Sequence, residues 1–229
     1  MQLKPTLMLE ILYQDEWLIA INKPCGLLVH RTSIAQENER FALQLLRDQT
    51  GRKLFPVHRI DRPTSGVLLF AFSAEIARNL HNQLTNRESH KRYTALVRGW
   101  LEEKTTSDRQ VKNDRGNLQD AQTLFIPQKQ FELPIATDRY PTARFSIVDA
   151  YPYTGRWHQI RQHLAQLRHY IINDRVHGDG KQNRLFSEKL GIQEMFLHAH
   201  SLRIQHPVMM KELLIEADFP MHWHNFIHN

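Results

Sequence analysis

The sequence predicts an α+β fold with a largely antiparallel sheet, and three observations carry the prediction. Strand-like segments come in sequential pairs, as at 8–14 and 17–23 or 196–204 and 211–217. Val67, Leu68, Leu69 and Phe70 form an uninterrupted apolar run, the pattern of a strand buried on both faces. Helical spacing of apolar residues is confined to a few segments, most clearly 157–168.

The elements follow in order. LEILYQD and WLIAINK read as two strands joined by an acidic turn, and Lys23-Pro24-Cys25-Gly26 breaks the pattern. Phe41, Leu45 and Leu46 share a helical face over 41–48. Beyond the buried run, Ser73 is placed to cap a helix in which Ile76, Leu80 and Leu84 recur every four residues. Residues 90–100 alternate as a strand, with Lys91, Tyr93, Ala95 and Val97 on one face and Arg92, Thr94 and Leu96 on the other. From 102 to 118 the chain turns polar and loses periodicity, so a surface excursion is expected there. Strands return at 121–126 and 143–151. In the helix at 157–168, Ile160, Leu164 and Leu167 form the buried seam with Arg161 beside it. INDRVHGDGKQNR then reads as a glycine-punctuated basic loop, and a terminal helix is expected near 220–228.

Composition narrows the function classes. The 229 residues suffice for a substantial core. With 30 basic against 24 acidic residues, the charge is +6 and the pI is near 9.5, which suits a polyanionic partner. Cys25 is the only cysteine, which excludes an internal disulfide framework and a multi-cysteine zinc site. Acidic residues interrupt the N-terminal apolar segment, so no signal-peptide core is present, and no run reaches the length of a membrane span. A cytoplasmic, monomeric protein without a membrane association is expected.

The chemistry concentrates in His58 to Phe70, HRIDRPTSGVLLF. Pro63 fixes its own φ and restricts Arg62, while Gly66 admits a turn other residues resist. Asp61 is therefore expected on a stiff loop at the edge of a buried sheet. Arg59 and Arg62 flank it and favour its ionised form, which suits a nucleophile, base or charge stabiliser. Tyr93, on a strand with His90, Lys91, Arg92 and Arg98, has the surroundings to stack on an extruded base, although strand tyrosines are more often core residues. TGRWHQIRQHL opens a helix on Gly155–Arg156, where backbone N–H groups favour phosphate, and Arg161 emerges where it can reach a buried carboxylate. Arg168 reads as part of a solvated face. Gly178-Asp179-Gly180-Lys181 lacks the phosphate-loop spacing and reads as a tight turn. Fourteen histidines, among them His198 and His200, lack a matching acidic ligand set, so no metal site is expected.

These segments resemble one family in order. INKPCGLLVH, HRIDRPTSGVLLFA, KRYTALVRG, TGRWHQIRQHL and LHAHSLRIQHP are similar to the successive motifs of the RluA-type pseudouridine synthases. RYPTARF and GDGKQNR carry the likeness to a tRNA-acting branch of that family. The chain departs from the family pattern at Ile60 for Leu, at Trp157 where Thr is common and at Phe72 where many relatives have Lys. The resemblance implies a single catalytic domain over 1–229, a mixed, largely antiparallel sheet flanked by helices around a central active-site cleft, and no N-terminal S4-type RNA-binding domain. It implies isomerisation of a uridine in RNA without metal or organic cofactor, most directly position 65 of a subset of tRNAs, with ribosomal RNA as the alternative. It assigns catalysis to Asp61, base packing to Tyr93, pairing with Asp61 to Arg161, and filling of the gap left by the flipped nucleotide to Arg59. Arg62, Arg156, Arg175, Lys181 and Arg184 are the expected RNA contacts. Two rivals lie outside the family: a metal-dependent nuclease using His58, Asp61, His198 and His200, and a non-catalytic RNA-binding module.

Overall fold

The structure, a computed structural model, describes residues 8–30, 40–136 and 140–227. Arg139 of RYPTARF and His228 of the expected terminal helix lie outside them. In chain order the first elements are β1 (Glu10–Gln14), β2 (Leu18–Lys23), α1 (Ala42–Thr50), β3 (Phe55–Pro56), β4 (Ser65–Ala71) and α2 (Ala74–Thr85). Then come β5 (His90–Arg98), β6 (Thr105–Ser107), β7 (Val111–Lys112), β8 (Leu118–Gln119), β9 (Thr123–Leu133) and β10 (Ala143–Pro152). The last are α3 (Gln159–Gln166), α4 (Gly180–Leu190), β11 (Leu197–Gln205), β12 (Glu212–Glu216), a 3-10 turn (Met221–Trp223) and α5 (His224–Ile227). The α+β class read from the sequence is the one the chain adopts. It packs as two compact units, one of residues 1–89 and 201–218, the other of 90–200 and 219–229.

In the first unit β2 pairs with β1 and β4, both antiparallel, and the end of β11 pairs with β12. Every residue of β4 is buried, because the sheet is covered on both faces. Val67, Leu69 and Ala71 pack with Leu18, Ala20, Leu80 of α2 and Ile215. Leu68 and Phe70 face the other way, onto Ile19, Ile21 and the Leu45–Leu46 face of α1. The uninterrupted apolar run is thus the signature of a doubly covered strand. Ser73 caps α2 as expected, its hydroxyl accepting from the Ile76 N–H at 3.2 Å.

In the second unit β10 lies between β5 and β9, and β6 extends β9. Ala95, Val97, Val148 and Ala150 pack against Ile160 and Leu164 of α3. Leu96, Phe145 and Ile147 turn to Phe186 of α4, Phe196, Trp223 and Phe226.

The polar excursion at 102–118 is mostly exposed as expected and gains local structure, while two further expectations require correction. The segment 102–118 contains β6 and most of a small β7–β8 hairpin. Its regularity comes from side chains of α3: Gln162 bonds both the N–H and the C=O of Lys112, and His163 meets the Arg109 carbonyl. The helix expected over 157–168 is shorter, since His158 (φ 51°) and Arg168 (φ 64°) adopt left-handed backbone at its two ends. The basic loop contains the start of α4, so the Gly178–Lys181 tight turn is instead a helix entry. Asp179 caps it, its carboxylate accepting from the N–H groups of Lys181 and Gln182.

Candidate active site

Asp61 is half-buried at the start of a turn closed by the Thr64 N–H on the Asp61 carbonyl, 3.0 Å. This turn is fastened to the Lys23–Leu27 loop. The Gly26 N–H donates to the Arg62 carbonyl (2.9 Å), Arg62 Nε donates back to the Gly26 carbonyl (3.0 Å), and Cys25 Sγ approaches the Pro63 carbonyl at 3.0 Å. Lys23, fully buried, completes the joint by donating to the carbonyls of Pro24, Leu27 and Arg62 at 2.9, 2.8 and 3.1 Å. Three acceptors match the three N–H bonds of an ammonium. Burial pushes the Lys23 amine down to about 7, Cys25 and Asp61 draw it back up, and Arg62 opposes them. The stiffness expected from Pro63 is therefore reinforced by a residue the sequence reading took only as a strand break.

Arg161 is buried and closes on Asp174 with two parallel hydrogen bonds, from Nε and Nη2, each 2.7 Å. Asp174 also accepts from the N–H groups of Val176 (2.9 Å) and His177 (3.0 Å). Burial pushes the Asp174 carboxyl up, but the Arg161 hydrogen bonds and charge, then the two N–H groups, outweigh it and hold it below the usual carboxylate range. Asp174 was missed because it sits among basic residues in what looked like a loop. The available signal was an acid two residues after the apolar pair Ile171–Ile172.

Tyr93 lies opposite Ala150 in the β5–β10 ladder and packs on the cluster that holds Ala95, Val97 and Ile160. Its neighbours further along β5 are buried while it is half-exposed, so the ring stands at the rim of that core. Thr94, on the other face, bonds Asp149 at 2.8 Å. The alternation read from the sequence is the one observed. Arg59 and Arg62 are exposed in the first unit, and Arg156, Arg175, Lys181 and Arg184 are exposed in the second. Lys181 and Arg184 sit in the first turns of α4, and Arg156 is steadied by Nε on the Asp120 carbonyl at 3.1 Å. His58 Nε2 accepts the Leu69 N–H at 3.1 Å, and His198 is packed among His200, Phe219 and Trp223. Among the described residues no three His, Cys, Asp or Glu side chains are grouped to hold a metal ion.

Residues 17–166 match the family described as RNA pseudouridylate synthase, a span covering Asp61, Tyr93 and Arg161. The chain belongs to that family. It is similar to tRNA pseudouridine synthase C of Vibrio cholerae, 44% identical over 96% of this chain and 95% of that one. The Salmonella typhimurium protein of the same name is 42% identical over 94% of this chain and 87% of its own length. Two human structures share the fold: RNA Pseudouridylate Synthase Domain Containing 1 (TM-score 0.73, 23% identity, covering 96% of this chain and 87% of that one) and Domain Containing 4 (0.71, 23%, 93% and 90%). This pseudouridine synthase thus isomerises uridine in RNA, and the nuclease and the non-catalytic module fall away.

Two predictions follow from the buried charges of the synthase. Lys23→Met takes the Lys23 donor from the Pro24 and Leu27 carbonyls and leaves the Arg62 carbonyl only the Gly26 N–H, at about 1–3 kcal/mol for each acceptor left unsatisfied where water cannot reach. Urea unfolding should show a loss of about 2–4 kcal/mol, with faster amide exchange at Gly26 and Thr64. Unchanged stability would dismiss Lys23 as the fastening. Asp174→Asn removes the carboxylate charge that Arg161 grips with two hydrogen bonds, and breaking a buried ion pair typically costs about 3–5 kcal/mol. Because the Asp174 carboxyl is held low in the folded chain, its contribution is complete above the unfolded value near ~3.9 and is lost as pH falls through the lower folded value. The stability gap between wild type and Asp174→Asn should therefore be full at pH 7 and narrow below about pH 4. A gap constant with pH would show that the carboxylate charge is not what matters.

Proposed function

We propose that the chain converts a uridine of tRNA to pseudouridine, as a cytoplasmic monomer, with Asp61 as the catalytic carboxylate and position 65 of a subset of tRNAs as the target. The observation that carries the substrate is the full-length similarity to proteins named tRNA pseudouridine synthase C. The observation that favours Asp61 is its place on a turn fastened from three directions, the way a scaffold holds a reacting group still. The family match runs across both compact units, which supports reading them as parts of one catalytic domain.

In the reaction the C1′–N1 bond breaks, the uracil turns, C5 joins C1′, and the proton lost from C5 is balanced by one gained at N1. Product and substrate are isomers, so no redox group or group carrier has a task. An Asp61 carboxylate has three atoms open to it, C1′, uracil C6 or the C2′ proton, and each route ends at the same product. Extrusion of the base costs a few kcal/mol. Tyr93 at the rim of its core offsets part of this by packing on the base, and Arg59 by filling the gap in the stem. Arg161, oriented by Asp174, and Arg62 are the further side chains assigned to the reaction. A uridine in an A-form stem is hard to read by base edges, so recognition rests on backbone shape, with Arg156, Arg175, Lys181 and Arg184 on phosphates.

Asp61→Asn should abolish pseudouridine formation in a tRNA transcript while leaving RNA binding within a few-fold. Turnover near wild type would remove Asp61 from catalysis, and an equal loss of binding would make it structural. Neutralising Arg175, Lys181 and Arg184 together should flatten the dependence of log K on log salt by about one unit for each lost contact. An unchanged slope places the RNA on other residues. Pseudouridine mapping in cells with and without the gene should show the change in tRNA; a change confined to ribosomal RNA would overturn the substrate.

A further inference from the structure

Trp157 is not spent on the core. It joins none of the buried apolar clusters, is half-exposed, and precedes α3 on a loop with Arg156 exposed beside it. Its ring is nonetheless held. The indole stacks on the His158 imidazole with centroids 3.7 Å apart and planes 17° apart. His158 is fixed in turn by a 3.0 Å hydrogen bond between its Nδ1 and His177 Nε2, and the His177 backbone N–H is tied to Asp174. Gln162, already clamped to the β7 backbone, donates to the Trp157 carbonyl at 2.9 Å. His158 reaches this position only through left-handed backbone, φ 51°, a conformation unfavourable for a side chain of this kind. Strain, a histidine pair and a glutamine clamp are all directed at presenting one aromatic ring near the surface.

Lys91 adds a charge to the same loop. Its Nζ lies 3.8 Å from where a Cβ on Gly155 would be, two residues before Trp157. It is half-buried and has no acidic partner among the described residues, and burial pushes its ammonium down. A desolvated cation without a counter-charge is stabilised by an anion from outside the chain. An immobilised aromatic plane on the loop and an uncompensated ammonium reaching it from β5 match the two parts of a nucleotide, its base and its phosphate.

We infer that Trp157, stacked on His158, and Lys91, lodged against Gly155, hold one unpaired or extruded nucleotide of the substrate RNA other than the target uridine, the indole taking the base and the ammonium the phosphate. The inference rests on the RNA substrate of the family, not on the role of Asp61. Trp157 is here a specificity-determining residue for the known reaction.

The test is binding of the full chain to a tRNA transcript over a salt series. Trp157→Ala should raise Kd about five- to a hundredfold, the loss of one stacked base, without changing the salt slope. Trp157→Phe should recover most of that affinity, and the loss should fall on KM more than on kcat. Lys91→Met should lower the salt slope by roughly 0.7–0.9 of a unit, and Lys91→Arg should restore it. RNA should quench tryptophan fluorescence in the wild type and quench it less in Trp157→Phe, a reading that stands even if the alanine variant fails to fold. Wild-type affinity in Trp157→Ala, or equal quenching in Trp157→Phe, overturns the base contact; an unchanged slope in Lys91→Met overturns the phosphate contact. A failed role for Asp61 would instead appear as retained turnover in Asp61→Asn, with these binding measurements unaffected.

Discussion

A buried ammonium with three carbonyl acceptors is the constraint on which the Asp61 turn depends. Lys23 ends β2 opposite Gly66 of β4, so the register of a core ladder decides where its side chain begins. From there it reaches the Arg62 carbonyl and the two carbonyls of its own loop. Gly66, at φ 107°, lets β4 leave the turn in a conformation that a side chain would resist. Hydrophobic burial of β2 and β4 supplies the free energy, and Lys23 converts the position of that core into the position of a carboxylate. A loop held only by Pro63 would have restricted dihedrals but no fixed place.

The second unit uses a related device with a different partner. Arg161 lies on the face of α3 that the core covers, and its charge is met by Asp174 from the segment before α4. Burying both charges carries a desolvation cost that a pair of apolar residues would avoid. What the pair contributes instead is orientation, since a guanidinium gripped by two parallel bonds has one plane and one direction. Asp174 passes this on through the His177 N–H to the histidine pair under Trp157. One carboxylate thus positions a buried arginine and a surface aromatic.

The legible parts of the sequence were those in which one residue type has one physical use. An apolar run without polar interruption fits only a doubly covered strand, and β4 is one. Alternation along β5 separates Tyr93 from Thr94, and a serine before a four-residue apolar period caps α2. The parts that were not legible depend on partners distant in sequence. The β7–β8 hairpin has no periodicity of its own because glutamines and a histidine on α3, some fifty residues away, satisfy its backbone. Helix α4 was hidden by Gly178 and Gly180, which local propensity scores as breakers, whereas Asp179 turns the same stretch into a capped start. Gly178 itself is required there, since a Cβ would lie 2.1 Å from the Asp174 carbonyl oxygen. Lys23 and Asp174 were read as a break and as loop because burial of a charge is invisible until its acceptors are known.

This division also limits what a net charge of +6 can say. Lys23 and Arg161 count toward that total, yet their fields are taken up by carbonyls and by Asp174, and they act on geometry more than on RNA at a distance. Arg98 and Arg144, although exposed, are matched by Asp179 and Glu132. Arg156, Arg175 and Arg184 lie exposed in the second unit, as Arg59 and Arg62 do in the first, and Lys91 is half-buried. A net charge of that size draws polyanions without reading their sequence. Specificity then has to come from shape and from fixed contacts, because net charge alone cannot select one uridine over another.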